Sequence, residues 1–253
     1  MQMAMLEIKE LCKTFDGVRA VDDFSLSLEQ NKITSLIGPN GAGKTTLFNI
    51  VTGFIAPDRG NLTYNGATIL NKPPYAIARN GIARTFQNLR LFKKLTAFEN
   101  VMLGRQNQSG EGFFNALFSF SKKSLEHRSH IEKAEELISF VGLQDHKDEL
   151  AEHLSYGQQK LLSIACCLAA EPEMLLLDEP VSGVQPAMVE KIVELIHDIV
   201  SNQGKTVLLI EHNIDFVLDI SDSVVVMDEG NKIAEGSPSN IRDSTNILEA
   251  YLS

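Results

Sequence analysis

The chain has few cysteines, no long apolar run and no excess of basic residues, and each shortage narrows what it can do. Three cysteines in 253 residues, two of them adjacent (Cys166 and Cys167), make no disulfide framework, and none stands in a C-x-x-C metal pattern. They read as buried thiols on an apolar helix in a reducing compartment. No apolar run approaches the roughly 20 residues of a membrane span. The N-terminus, Met1 to Glu7, lacks a charged segment followed by an apolar one, so no signal peptide is expected. With 23 Lys and Arg against 33 Asp and Glu, the formal net charge is -10. A protein whose main partner is a nucleic-acid backbone needs a basic face, so that class is disfavoured. The six histidines are scattered without metal-ligand spacing. There is no internal repeat and no low-complexity tract. What remains is an ordinary globular composition, 43% hydrophobic and 22% charged, long enough for a substantial core in one domain or two.

Against this plain background one stretch stands out. Gly38-Pro39-Asn40-Gly41-Ala42-Gly43-Lys44-Thr45 fits G-x-x-x-x-G-K-[ST], the phosphate-cradling P-loop. Ile33, Ser35, Leu36 and Ile37 before it read as a buried strand. Thr46, Leu47, Phe48 and Ile50 after it open a helix reaching about to Gly53. A strand that feeds a helix N-terminus through glycines aims backbone N–H groups and a positive dipole end at an anion. Asn40, Gly41, Ala42, Gly43 and Thr46 belong to that cradle. Lys44 reaches the terminal phosphates, and the Thr45 hydroxyl suits Mg²⁺.

The rest of the chain supplies the context such a loop needs. Leu6 to Phe15 and Ala20 to Leu28 carry strand character, the latter with Phe24, Leu26 and Leu28 at period two. Asn61 to Gly66 is a further strand ending in a turn signal. From Thr96 to Val141 the periodicity becomes helical, with Ile131, Ala134, Leu137, Ile138 and Val141 on one face and Gly142 as the stop. A helix is expected from Gln158 to Ala170, another from Val189 to Val200, and a closing one from Ile241 to Leu252. Thr206 to Ile210 and Val224 to Met227 read as strands. Strands alternating with helices around a P-loop imply a mainly parallel, doubly wound sheet with the helical middle inserted into it.

Met174-Leu175-Leu176-Leu177-Asp178-Glu179 places two carboxylates at the C-terminal end of an apolar strand, where open α/β sheets bind ligands. Asp178 has the Walker-B role of holding Mg²⁺, directly or through water. Glu179 is placed to orient and polarise an attacking water.

Leu154-Ser155-Tyr156-Gly157-Gln158-Gln159 resembles the L-S-G-G-Q signature of ATP-binding cassette (ABC) proteins. The order P-loop, Gln87, signature, Asp178-Glu179, His212 is similar to ABC ATPase subunits over essentially the whole chain. The resemblance implies a P-loop NTPase with a RecA-like core, an N-terminal antiparallel β layer and a helical subdomain. The single ABC domain would place its core in 1–92 and 159–253 and its helical part in 93–158. It implies that Phe15 stacks on adenine, where the residue alone could be small-sheet core. It gives Gln87 the Q-loop role beside Mg²⁺ and the water. His212 becomes the switch histidine on the γ-phosphate, where the residue alone could be a surface histidine. Ser155, Gly157 and Gln158, placed just before a helix beginning near Gln158, would bind the ATP of a second copy.

The signature departs from the family pattern at Tyr156, and Ser182-Gly183-Val184-Gln185 stands where many members have S-A-L-D. Arg84 to Phe92, Leu95 to Val101, Glu211-His212-Asn213 and Ile247 to Leu252 resemble the ATPases of branched-chain amino-acid importers. That likeness implies ATP and Mg²⁺ as cofactors, a second ATPase subunit and transmembrane permeases as partners, and no nucleic acid. It implies a peripheral place on the cytoplasmic face of the inner membrane, with membrane contact only through partners. A lipid or lipopolysaccharide exporter and a soluble ABC ATPase are the alternatives. The aromatic stretch Gly110 to Phe120 reads either as satellite core or as contact with a membrane subunit or the lipid surface.

Overall fold

The structure, a computed structural model, describes residues 4–87, 89–105 and 120–243, with side chains throughout except over 120–127. The chain divides into two compact units. One comprises Met1–Gln87, Glu173–Ser182 and Ile196–Ser253, the other Asn88–Pro172 and Gly183–Leu195.

The first unit holds two sheets. Its strands are β1 (Leu6–Phe15), β2 (Val18–Leu28), β3 (Ile33–Ile37), β4 (Arg59–Tyr64), β5 (Ala67–Thr68), β6 (Ile82–Arg84), β7 (Met174–Asp178), β8 (Thr206–Ile210), β9 (Ser223–Asp228) and β10 (Asn231–Gly236). The antiparallel sheet runs β2-β1-β4-β5 and the larger one β10-β9-β3-β8-β7-β6. In β2 the alternation works as expected: Phe24, Leu26 and Leu28 are buried, while Ser27 between them is exposed. β3, β7 and β8 are buried at every position, as strands covered on both faces must be, and they pair in parallel. The polar atoms inside them are satisfied locally. Thr206 Oγ1 accepts the Asn31 N–H at 2.9 Å, and Asp222 Oδ2 accepts the Ile33 N–H at 2.9 Å. Phe24, Leu36, Phe48, Leu176, Leu208 and Val225 belong to one continuous core.

The helices are α1 (Lys44–Val51), α2 (Pro74–Arg79), α3 (Ala97–Gly104), α4 (Phe120–Phe140), α5 (Tyr156–Leu168), α6 (Pro186–Ser201), α7 (Ile214–Ile220) and α8 (Pro238–Arg242). The closing helix expected over Ile241 to Leu252 lies outside the described residues beyond Asp243, and so does the aromatic stretch before Phe120. In the second unit α3 packs on α4 and α5. A capping box starts α3, with Thr96 Oγ1 accepting the Glu99 N–H and Glu99 returning a bond to the Thr96 N–H. The predicted apolar face of α4 is buried at Ala134, Leu137 and Ile138, with Val141 just beyond. Burial in apolar surroundings pushes the thiols of Cys166 and Cys167 on α5 up, the latter to about 12.

At the end of α3 a side chain is excluded by contact. A Cβ on Gly104 would lie 2.5 Å from the Cys166 carbonyl oxygen and 3.0 Å from the Ala169 Cβ. Gly104→Ala should therefore push α3 off α5 and cost about 1–3 kcal/mol. Urea unfolding reads this as a lower midpoint, and an unshifted midpoint would mean the helices do not approach so closely.

Candidate active site

The P-loop joins β3 to α1, and its geometry demands glycine at Gly43. That residue has φ +101, and a Cβ there would sit 2.0 Å from the Ala20 carbonyl oxygen. Lys44 is buried, and its ammonium folds back into the loop, donating to the carbonyls of Gly38 at 2.7 Å and Pro39 at 2.8 Å. Burial lowers its pKa from the ordinary lysine value, against the opposing pull of Glu179 and Asp178.

Above the loop lies a cavity of about 230 Å³. It is lined by Ala20, by Asn40 and the run Gly41 to Thr46, and by Gln87, Glu179 and His212. Three of these form a hydrogen-bonded group. Gln87 Nε2 donates to Glu179 Oε2 at 3.0 Å, and His212 Nε2 lies 3.1 Å from Glu179 Oε1. Glu179 holds its place with a left-handed backbone, φ +50, and its N–H donates to the Ile210 carbonyl at 2.9 Å. That conformation is costly for a residue with a Cβ and persists only where surrounding contacts enforce it.

Asp178 is directed elsewhere. It is buried, its Oδ2 accepts Arg84 Nη2 at 2.8 Å, and its N–H donates to Thr85 Oγ1 at 3.0 Å. Arg84 also donates from Nη1 to Asn49 Oδ1 at 2.7 Å and to Thr52 Oγ1 at 3.3 Å, both on or next to α1. Its guanidinium carbon lies 5.3 Å from the Phe48 ring centroid and 5.1 Å from that of Phe86. Among the described residues Arg84 Nε finds no acceptor. Phe15, at the end of β1, is partly exposed and does not line the cavity; the Lys13 ammonium sits over its ring at 5.3 Å.

The oxygens available to a cation fit Mg²⁺. Thr45 in the cavity lining offers a hydroxyl; Asp178 is a carboxylate outside that lining, with Oδ2 paired to Arg84. Gln87, whose amide nitrogen is spent on Glu179, offers its carbonyl. Among the described residues no cluster of three His, Cys, Asp or Glu could cage a metal alone. A few hard oxygen donors, with phosphates and water completing the shell, is the arrangement Mg²⁺ favours.

Ser155, Gly157 and Gln158 belong to the second unit. Here the helix start differs from expectation: α5 begins at Tyr156, so Gly157 lies inside the first turn and Ser155 is the N-cap. The cause is a capping box. Ser155 Oγ accepts the Gln158 N–H at 3.3 Å, and Gln158 Oε1 accepts the Ser155 N–H at 2.8 Å. The two departures from the family pattern meet in space. A Cβ on Gly183, where φ is +73, would lie 3.2 Å from Tyr156 Cε1. The larger signature residue thus stands beside the smaller loop residue.

The chain shares this ground plan with proteins already characterised. The ABC transporter family pattern matches residues 21–182. The chain belongs to the ABC transporter family. Among its relatives is the high-affinity branched-chain amino acid transport ATP-binding protein BraF of Pseudomonas aeruginosa. The two are 40% identical over 252 residues, 100% of this chain and 99% of the relative. A crystal structure of a nucleotide-free ATP-binding cassette from an ABC transporter superposes with TM-score 0.86 at 34% identity, covering 99% of this chain and 100% of the other. A dimeric cassette in a post-hydrolysis state, bound to ADP and phosphate, superposes with TM-score 0.77 at 25% identity, covering 92% and 99%. The ABC cassette fold, with antiparallel layer, P-loop sheet and helical region, is therefore the fold of this chain.

Sequence reasoning gave no role to two residues of this ABC cassette, Arg84 and Glu211. Arg84 is a cation closing an otherwise apolar edge strand. Glu211 is a carboxylate placed directly after five buried strand residues. Such charges inside apolar surroundings are the only local signal either gives. Arg84→Met would leave Asp178 buried without its cation. The expected loss is about 3–5 kcal/mol of stability, measured by denaturant unfolding. A change below about 1 kcal/mol would show the pair to be solvated like a surface salt bridge.

Proposed function

We propose that this chain is the ATP-hydrolysing subunit of a transporter that takes up branched-chain amino acids through partner permeases. The observation that carries the ATPase reading is the Gln87–Glu179–His212 group set over the P-loop cavity. The cargo is supported by the name of the 40% identical relative from Pseudomonas aeruginosa.

The phosphates bind on the N–H groups of Gly41 to Thr46 at the start of α1. Adenine stacks on the ring of Phe15. Lys44 exchanges the Gly38 and Pro39 carbonyls for phosphate oxygens, a trade that brings a partly desolvated cation to its anion. Thr45, Gln87 and Asp178 would hold Mg²⁺, which would supply positive charge beside the phosphates. Both oxygens of Glu179 are occupied by Gln87 and His212, so the attacking water replaces one of these partners. Glu179 then accepts the water's proton as the bond to the γ-phosphorus forms and the bond to the leaving oxygen breaks. His212, released from Glu179, turns to the γ-phosphate.

The site is composite. Ser155, Gly157 and the first turn of α5 form a second anion-binding helix start on each chain. Its use is the γ-phosphate bound by another copy, a stabilising donor supplied in trans. A dimeric relative holding ADP and phosphate supports this arrangement. The subunit works at the cytoplasmic face of the inner membrane, attached through its permeases; among the described residues no helix is long and apolar enough to cross a membrane.

Two variants separate the halves of the composite site. Lys44→Ala should weaken ATP binding and cut turnover by about 10²–10³-fold. Ser155→Arg should leave ATP binding to the single chain nearly intact while suppressing turnover comparably. Mixed together, the two inactive chains should recover activity from at most one working site per dimer. No recovery at any mixing ratio would count against a site shared between copies.

A further inference from the structure

Glu211 is among the most deeply buried charged residues described, 2% exposed, and nothing in the hydrolytic scheme above uses it. It follows β8 directly and precedes His212. Its Oε1 accepts the backbone N–H of Val181 at 2.9 Å, and its Oε2 accepts the backbone N–H of His212 at 3.0 Å. The N–H of Asn213 also donates to this carboxylate. One side chain thus gathers three backbone donors from two loops, the one after β7 and the one after β8.

These loops carry the two groups that meet at 3.1 Å, Glu179 and His212. Val181 lies two residues beyond Glu179. The loop after β7 is tied to the end of β8 at two points. Glu179 N–H donates to the Ile210 carbonyl at 2.9 Å, and Val181 N–H donates to Glu211 at 2.9 Å. Between the ties sits the left-handed backbone of Glu179, φ +50. A conformation of that kind relaxes when its restraints are removed. A carboxylate is the group the clasp requires, because both of its oxygens only accept. An amide would turn an NH₂ toward one of the donors, and a hydroxyl could not span both loops.

We propose that Glu211 is a positioning residue: by clasping the loop after β7 to the loop after β8, it fixes Glu179 against His212 for hydrolysis. Glu211 does not itself line the cavity over the P-loop, and its effect falls on the chemical step and not on nucleotide affinity. The inference rests on the ATPase reading. It also makes a claim about the nucleotide-free chain that does not depend on that reading.

Burial raises the Glu211 carboxyl above the ordinary glutamate pKa, with the charge of Glu179 acting the same way and the three N–H donors opposing. The group is therefore held where it is at a cost, as a restraint is.

The test uses the full chain and Glu211→Gln, which keeps the volume and one acceptor. Three quantities are read: kcat with KM for ATP, the dissociation constant for ATP by direct titration, and backbone amide exchange without nucleotide. The expected result is a kcat about tenfold to a hundredfold lower with the ATP dissociation constant within about twofold of wild type. The Val181 amide should exchange at least about tenfold faster, while those of Leu176 and Leu208 inside the strands stay protected. Glu211→Asp keeps both acceptors on a shorter arm and should fall between wild type and Glu211→Gln. It also serves as the probe if the amide variant does not fold. Unchanged kcat, or unchanged protection at Val181, overturns the clasp. Equal losses in kcat and ATP affinity also overturn it, in favour of a general structural role. A wild-type chain that hydrolyses no ATP contradicts the ATPase reading instead, and the exchange at Val181 still decides whether the clasp exists.

Discussion

Five strands pair in parallel, and the groups around the P-loop cavity hang from where they stop. Leu36 of β3 lies opposite Ile210 of β8, Ile210 opposite Asp178 of β7, and Leu176 of β7 opposite Arg84 of β6. The strands are apolar because helices and a second sheet deny water to both faces, and each ends where polar residues begin. The chain therefore delivers the P-loop, Asp178 with Glu179, Glu211 with His212, and the approach to Gln87 at one edge. A slip of one residue in β7 would reverse its faces and carry the carboxylates away together.

Bringing so much polarity to a dry edge has a cost that the surrounding contacts offset. Asp178 and Arg84 neutralise each other, and the Arg84 guanidinium carbon lies 5.3 Å from the Phe48 ring centroid and 5.1 Å from that of Phe86. Lys44 satisfies two of its donors on the carbonyls of its own loop. Glu211 accepts backbone N–H groups of Val181 and His212. Glu179 lines the cavity with a left-handed backbone, hydrogen-bonded to Gln87 and beside His212.

What was legible in the sequence was whatever is contiguous. The P-loop, the apolar strand ending in Asp178 and Glu179, and the signature are each one unbroken run, so their chemistry can be read from neighbours. The helix start at Tyr156 was misplaced because tyrosine and glycine are poor helix openers, although Ser155 and Gln158 spell the S-x-x-Q box that overrides them. Arg84 and Glu211 were opaque for another reason. Asp178 lies 94 residues from Arg84 and Val181 30 residues from Glu211, and contacts between such distant parts of the chain leave no local pattern. Gly183 in the loop is likewise explained only once Tyr156 is seen beside it.

The central claim is that Glu179 drives hydrolysis inside a site that two copies complete. Analytical ultracentrifugation of Glu179→Gln with ATP and Mg²⁺ tests both parts together. The substitution keeps the shape and removes the proton acceptor. With ATP the variant should sediment as a dimer that persists for hours, and with ADP as a monomer. A variant that stays monomeric at saturating ATP, or that consumes ATP as fast as the wild type, would contradict the account.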